Sequence, residues 1–147
     1  MSEPSEEEMQ SIVGFQFPGG NYLIEHWENF LLTECTGAKL LPDGLVHPVA
    51  LFHVPITGSG TSLKEMFALG KAISDFSINI ESYDWEIFAP LIEDELYDVS
   101  GEVLSVKRIQ DERGVNRDRI QFQFEIRDAD ELVSRTTITW LYARSTP

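Results

Sequence analysis

The stretch Ser62-Leu-Lys-Glu-Met-Phe-Ala-Leu-Gly-Lys-Ala-Ile-Ser-Asp-Phe-Ser-Ile-Asn-Ile80 holds the point at which the chain changes period. Ser62-Leu-Lys-Glu65 has the form of a capping box, in which the serine hydroxyl and the glutamate carboxylate satisfy backbone N–H groups at a helix start. Ser62 to Leu69 is therefore predicted as a short helix closed by Gly70. From Phe76 the period is two: Phe76, Ile78 and Ile80 alternate with Ser77 and Asn79, as a half-buried strand requires. Working downstream, Leu96 to Ile109 is a second candidate strand, with Gly101 as a possible bulge. Ile120, Phe122, Phe124 and Ile126 alternate with Gln121, Gln123 and Glu125, and Ser134 to Tyr142 is rich in β-branched and aromatic residues. Asp111 to Asn116 and Asp128 to Glu131 read as hairpin turns.

Working upstream, the pattern is helical and interrupted. Thr57 to Thr61 breaks it, and Pro48 suits the first turn of a helix from His47 to about Val54, stopping before Pro55. Pro42-Asp43-Gly44 marks a loop. Leu23, Trp27, Phe30 and Leu31 recur at helical spacing, with Gly37 placed to end that helix near Thr36. Cys35 falls in the same apolar pattern and is expected as buried filler. A short extended segment is expected around Tyr22 to Ile24. Helices first and then a meander of antiparallel strands predict an α+β fold, in which a central helix covers the apolar face of a curled antiparallel sheet. Periodicity leaves the sheet order open, and other α+β folds share the pattern.

Composition narrows the function classes. The chain has 147 residues, 42% of them hydrophobic, with nine Phe and three Trp, which fits one globular domain with a sizeable core. Its net charge of −14 repels nucleic-acid backbones and anionic membranes. No apolar run approaches the roughly 20 residues that cross a bilayer, the N-terminus is acidic, and the one cysteine forms no internal disulfide, so a cytoplasmic location is expected. Residues 1–13, with Glu3, Glu6, Glu7 and Glu8, read as an acidic flexible tail. All seven arginines lie between Arg108 and Arg144, and Lys107, Arg108, Arg113, Arg117 and Arg119 gather around one predicted hairpin. They either solubilise an exposed loop or receive an anionic group. Three histidines and one cysteine lack zinc-ligand spacing, and no cofactor is called for. Gly58-Ser-Gly60 has no following Lys and is not a phosphate loop.

The tract Trp85-Glu-Ile-Phe-Ala-Pro90, Glu93-Asp-Glu-Leu-Tyr97, Val99-Ser-Gly-Glu-Val103 and Thr136-Thr-Ile-Thr-Trp-Leu-Tyr-Ala-Arg144 resembles the MaoC-like hot-dog dehydratases, which include R-specific enoyl-CoA hydratases and the dehydratase domains of fatty acid synthases. The resemblance covers about half the chain. It implies that residues 14–147 form a single hot-dog domain that pairs as a homodimer or with a related hot-dog chain. It also implies an acyl-CoA or acyl-carrier thioester site at the interface. In the family a carboxylate and an imidazole activate water, and backbone N–H groups polarise the thioester carbonyl.

The family's catalytic stretch, Gly-Asp-x-Asn-Pro-hydrophobic-His, falls on Gly37-Ala-Lys-Leu-Leu-Pro-Asp43, with Ala38 for the acid and Asp43 for the histidine. Another register uses Asp43 and His47, the one Asp and His close together at the start of the predicted central helix, where amides favour negative charge. These two are the expected acid–base pair. Pro48 replaces the family's glycine and has no N–H, so the Val49 amide is the expected substitute donor. Val49, His53, Gly58 and Gly60 are the expected substrate contacts. Three functions stay open: a hydratase or dehydratase subunit, a non-catalytic pairing or acyl-binding subunit, and a hot-dog thioesterase.

Overall fold

The computed structural model describes residues 3–144. Five antiparallel strands, β1 (Gly20–Leu23), β2 (Ile78–Ile87), β3 (Leu96–Gln110), β4 (Asn116–Asp128) and β5 (Glu131–Ala143), form one sheet in the order β1-β3-β4-β5-β2. β3, β4 and β5 make the expected meander. In the β3–β4 turn the Asp111 carboxylate accepts from the amides of Arg113 and Val115, and Ala129 takes a left-handed conformation in the β4–β5 turn. Gly101 is not a bulge. It pairs with Phe124, and a Cβ there would lie 2.4 Å from that ring, so the missing side chain lets Phe124 stack on Phe17 across the strand. The register slips instead between Val103 and Ser105.

The helices are α1 (Glu6–Gln10), α2 (His26–Thr36), α3 (Val54–Gly58) and α4 (Leu63–Leu69), with a 3-10 helix over Pro48–Phe52. The expected central helix is thus two short pieces meeting at His53, and it runs past Pro55. A proline in the first turn of α3 sacrifices no helical hydrogen bond, because that N–H would have no partner in any case. Ile56 of α3 packs with Val103, Phe122 and Trp140, while Leu51 and Val54 pack with Val99 and Ile126, so this segment covers the sheet's inner face. In α4 the Ser62 hydroxyl accepts from the Glu65 amide, which is half of the expected capping box; the Glu65 carboxylate accepts from the Thr61 hydroxyl at 3.1 Å instead of from the Ser62 backbone.

Three expectations are corrected. Trp27, Phe30, Leu31 and Cys35 point outward from α2, with Trp27 60% exposed. Asn29 and Thr33 are the buried residues of that helix, because polar groups on neighbouring loops need its hydrogen bonds. Glu6–Gln10 is not a solvated leader: Ser5 and Glu8 form a capping box, and Met9 is fully buried among core residues of the sheet. The outermost residues of that expected tail (1 and 2) and of the expected domain (145–147) lie outside the described residues. Phe76, expected in a half-buried strand, precedes β2 and is 97% exposed. Within β2 a slip between Ile80 and Ser82 changes the inward phase. Ile78 and Ile80 face Tyr142 and Trp140, whereas Tyr83 and Trp85 face Ile138 and Thr136.

Three of the five cations gathered at this hairpin, Arg108, Arg117 and Arg119, pair with the chain's own carboxylates, and Lys107 and Arg113 make no ion pair among the described residues. Arg117 pairs with Asp111 at 3.3 Å, and Arg119 makes two bonds to Glu81 at 2.7 and 2.8 Å. Asp118 is fully buried between Arg108 and Arg144, whose Nε atoms lie 2.9 and 2.6 Å from its oxygens. Burial pushes the Asp118 carboxyl up, but the hydrogen bonds and charges of the two arginines outweigh it and hold the group below the ordinary range. A depressed folded-state value contributes stability above the unfolded value, about 4, that is lost as pH falls through the folded one. Asp118→Asn, which leaves Arg144 buried without its counter-charge, is expected to cost about 3–5 kcal/mol in urea unfolding. It also removes this carboxylate's share of the stability loss below about pH 4.

Candidate functional site

Asp43 sits in the turn Pro42–Leu45, closed by the Leu45 amide donating to Pro42 O at 3.2 Å, with Asp43 and Gly44 both left-handed. Its side chain is exposed and makes no hydrogen bond or ion pair among the described residues. His47 is held at its backbone, where its N–H donates to Asn29 Oδ1 at 3.1 Å. Its ring is held as well: Nδ1 accepts from the Val49 amide at 3.0 Å and caps the 3-10 helix. A neutral imidazole that accepts at Nδ1 carries its proton on Nε2. The ring therefore presents a donor outward and spends its basic lone pair on the backbone. The structure does not join Asp43 to His47.

The same bond removes the substitute donor. Pro48 has no N–H, the Val49 amide is engaged by His47, and the Ala50 amide donates to His47 O at 3.1 Å. None of the first three backbone positions of this helix offers an uncommitted N–H to a carbonyl.

A different pair is built nearby. His53 Nε2 lies 2.9 Å from Glu28 Oε1, the Tyr22 hydroxyl donates to the same carboxylate, and the two rings meet edge-on at 5.9 Å. These residues come from β1, the first turn of α2 and the junction of the 3-10 helix with α3. His53, expected as a substrate contact, is thus part of a carboxylate–imidazole–phenol cluster. His26 pairs with Glu93 at 3.0 Å, and Glu93 also accepts from Asn29 at 2.8 Å. The Asn29 hydrogen bond leads in holding the Glu93 carboxyl below its ordinary range, helped by His26. Sequence reading missed both pairs because the partners lie 25 and 67 residues apart, and no local spacing announces them. Gly58 is buried where a Cβ would lie 2.7 Å from Val99 Cγ2, and Gly60 occupies a left-handed turn with its amide on Thr57 O. Both serve close backbone packing beside β1 and β3.

An apolar cleft of about 140 Å³ opens beside the start of the 3-10 helix. Leu41, Leu45, Val46, Pro48 and Leu51 form one wall; the end of β2, the segment Ala89–Leu91 and Ser134 form the other. The Val46 amide donates to Leu91 O at 2.9 Å and ties the two walls together.

The five-stranded antiparallel sheet with short helices across its inner face has counterparts among solved structures. A chain of the ChsH1–ChsH2 complex from Mycobacterium tuberculosis superposes with a TM-score of 0.70 at 12% identity, covering 96% of this chain and 90% of that one. This is the hot-dog fold. A chain of the HadBC (3R-hydroxyacyl-ACP dehydratase) complex from the same organism gives 0.63 at 13% identity, covering 88% and 96%. A probable thioesterase from Bartonella henselae gives 0.55 at 11% identity, covering 89% and 98%. No protein-family model matches the sequence, and no curated protein matches it. Similarity at these identities establishes the hot-dog architecture and leaves activity to the site.

Within the hot-dog core, burial raises the titration of all four tyrosines, Tyr22, Tyr83, Tyr97 and Tyr142, above the ordinary value of about 10. For Tyr22 the Glu28 carboxylate adds to burial. A raised value means stability present below about pH 10 and lost as pH rises through the folded-state value. Tyrosinate absorbance of the folded protein is expected to develop well above pH ~10, with the denatured chain titrating near that value. Glu28→Gln is expected to bring one of the four back toward it.

Proposed function

We propose that this chain is a hot-dog subunit of an acyl-thioester hydratase or dehydratase system. In this reading it binds the acyl group of an acyl-CoA or acyl-carrier thioester, and a second hot-dog chain paired with it supplies the acid and base. The observation that carries the proposal is the His47–Val49 bond. It takes the imidazole lone pair and the amide donor out of use together, beside a formed apolar cleft. A general base needs a free lone pair within reach of the proton it abstracts, and an oxyanion donor needs a free N–H. The helix start has neither.

Pairing is supported by the sheet edge. β2 has a strand on one side only, and Ile80 and Ile87 lie 64% and 50% exposed opposite the inward residues Trp140 and Ser134. An apolar edge of this kind is usually covered. Two of the similar solved structures are complexes, ChsH1–ChsH2 and HadBC. No helix among the described residues is long and apolar enough to cross a membrane, and a cytoplasmic setting suits the proposal.

The test is direct. The purified chain alone is expected to bind hexanoyl-CoA in calorimetry and to leave the conjugated-thioester absorbance of trans-hex-2-enoyl-CoA unchanged. Turnover by the chain alone that disappears in His47→Ala would overturn the proposal. A second reading rests on Glu28–His53, which is a formed carboxylate–imidazole pair. In that case turnover survives His47→Ala and is lost in His53→Asn, and release of CoA from hexanoyl-CoA separates thioester hydrolysis from hydration. For the edge, Ile80→Lys is expected to lower the sedimentation coefficient of the assembled protein while its circular dichroism stays that of the folded chain. A charge at an exposed edge opposes strand pairing and leaves the core intact.

A further inference from the structure

The cleft has one polar side chain in its wall. Ser134 is 1% exposed, and its hydroxyl has no hydrogen-bond partner among the described residues. Every other side chain lining the cleft is aliphatic or proline. Ser134 sits in β5 between Ile126 and Ile87, so its neighbours across both ladders are isoleucines that cannot accept its proton. A buried hydroxyl left unpaired is unfavourable, and native proteins pair such groups with protein, water or ligand.

Trp85 Nε1, Thr136 Oγ1 and Trp140 Nε1 are also buried without partners among the described residues. The first two occupy the next inward-facing ladder pair, two residues along the same face. Ser134 is the one of the four that lines the cleft. The other side of the cleft begins at Pro48, where backbone donors are absent or already committed. Among the side chains of the cleft, the Ser134 hydroxyl is the one donor that an entering carbonyl meets.

We propose that Ser134 Oγ–H donates to the carbonyl oxygen of an acyl thioester seated in this cleft, in place of a helix-start amide. The inference rests on the acyl-binding reading above and adds the group that recognises the carbonyl. The cleft's volume, about 140 Å³, is close to the roughly 150 Å³ that holds a benzene-sized apolar group. It therefore takes the thioester and a few carbons. No cationic side chain lines it, so a neutral carbonyl fits and a free carboxylate, which would be buried without a counter-charge, does not.

The experiment compares two soluble probes on the intact protein. S-butanoyl-N-acetylcysteamine carries the thioester carbonyl, and S-butyl-N-acetylcysteamine is the thioether without it. NMR titration is expected to show wild type favouring the thioester by about three- to tenfold, the range of one neutral hydrogen bond. With a ¹³C label the bound carbonyl resonance is expected to move downfield. In Ser134→Ala both the preference and the shift are expected to vanish while the thioether binds as before. In Ser134→Cys, whose S–H is a weak donor in nearly the same volume, the preference is expected to shrink. Thermal midpoints of both variants at or above that of wild type confirm that the fold is kept. A preference and shift that persist in folded Ser134→Ala would show that another group holds the carbonyl, with acyl binding intact. Absence of saturable binding by either probe would overturn this inference and the acyl-binding reading together.

Discussion

Asn29 is the side chain on which this end of the molecule depends. It is almost completely buried, and its amide serves four partners: Oδ1 accepts from the His47 backbone and the Thr33 hydroxyl, and Nδ2 donates to Leu45 O and Glu93. One residue of α2 thereby fixes the loop before the 3-10 helix and the loop between β2 and β3. A buried amide cannot give up such partners cheaply, because each would leave an unpaired polar group. The orientation of α2 follows. Its polar stripe must face inward to deliver Asn29 and Thr33, and Trp27, Phe30 and Leu31 are left on the outside. The use of His47 follows as well: with its backbone pinned by Asn29, its ring folds over onto the Val49 amide.

The strands were legible because each carries its own evidence. In β4 Ile120, Phe122, Phe124 and Ile126 alternate with polar residues, and burial follows that alternation. The turns at Asp111 and Ala129 were equally plain, since their hydrogen bonds are local. The helix face was misread because apolar spacing identifies a helix but not what it packs against. Where the neighbours are backbone groups, Asn and Thr make the better inner face. The Tyr22–Glu28–His53 cluster had no sequence signature, because it is assembled by three elements and exists only once α2 is placed. Met9 was hidden for a related reason: one buried methionine among acidic residues does not alter the look of a segment read by composition.

The candidate site shows how a single hydrogen bond separates fold from chemistry. The sequence around Asp43, His47 and Val49 keeps the residue types from which a hydration site can be made. The geometry commits them elsewhere, with Asp43 in a solvent-facing turn and His47 to a helix cap. The surrounding architecture is nevertheless complete. The apolar cleft is formed, its two walls are tied at Val46 and Leu91, and the sheet carries an uncovered edge. An exposed Asp43 and a committed His47, beside a formed cleft and an open edge, are the features on which the acyl-binding proposal rests.

Arg144 has a consequence for how the chain folds. Its guanidinium meets Met9 Sδ, Gly70 O and Lys71 O as well as Asp118, joining positions separated by 135, 74, 73 and 26 residues. Such contacts form only after long loops have closed, and topologies dominated by them fold slowly. Once made, they bind the end of the last strand to the first helix, so neither of these two elements can peel away alone. Local opening is expected away from these ties, as at the β2 edge, which has a strand on one side only.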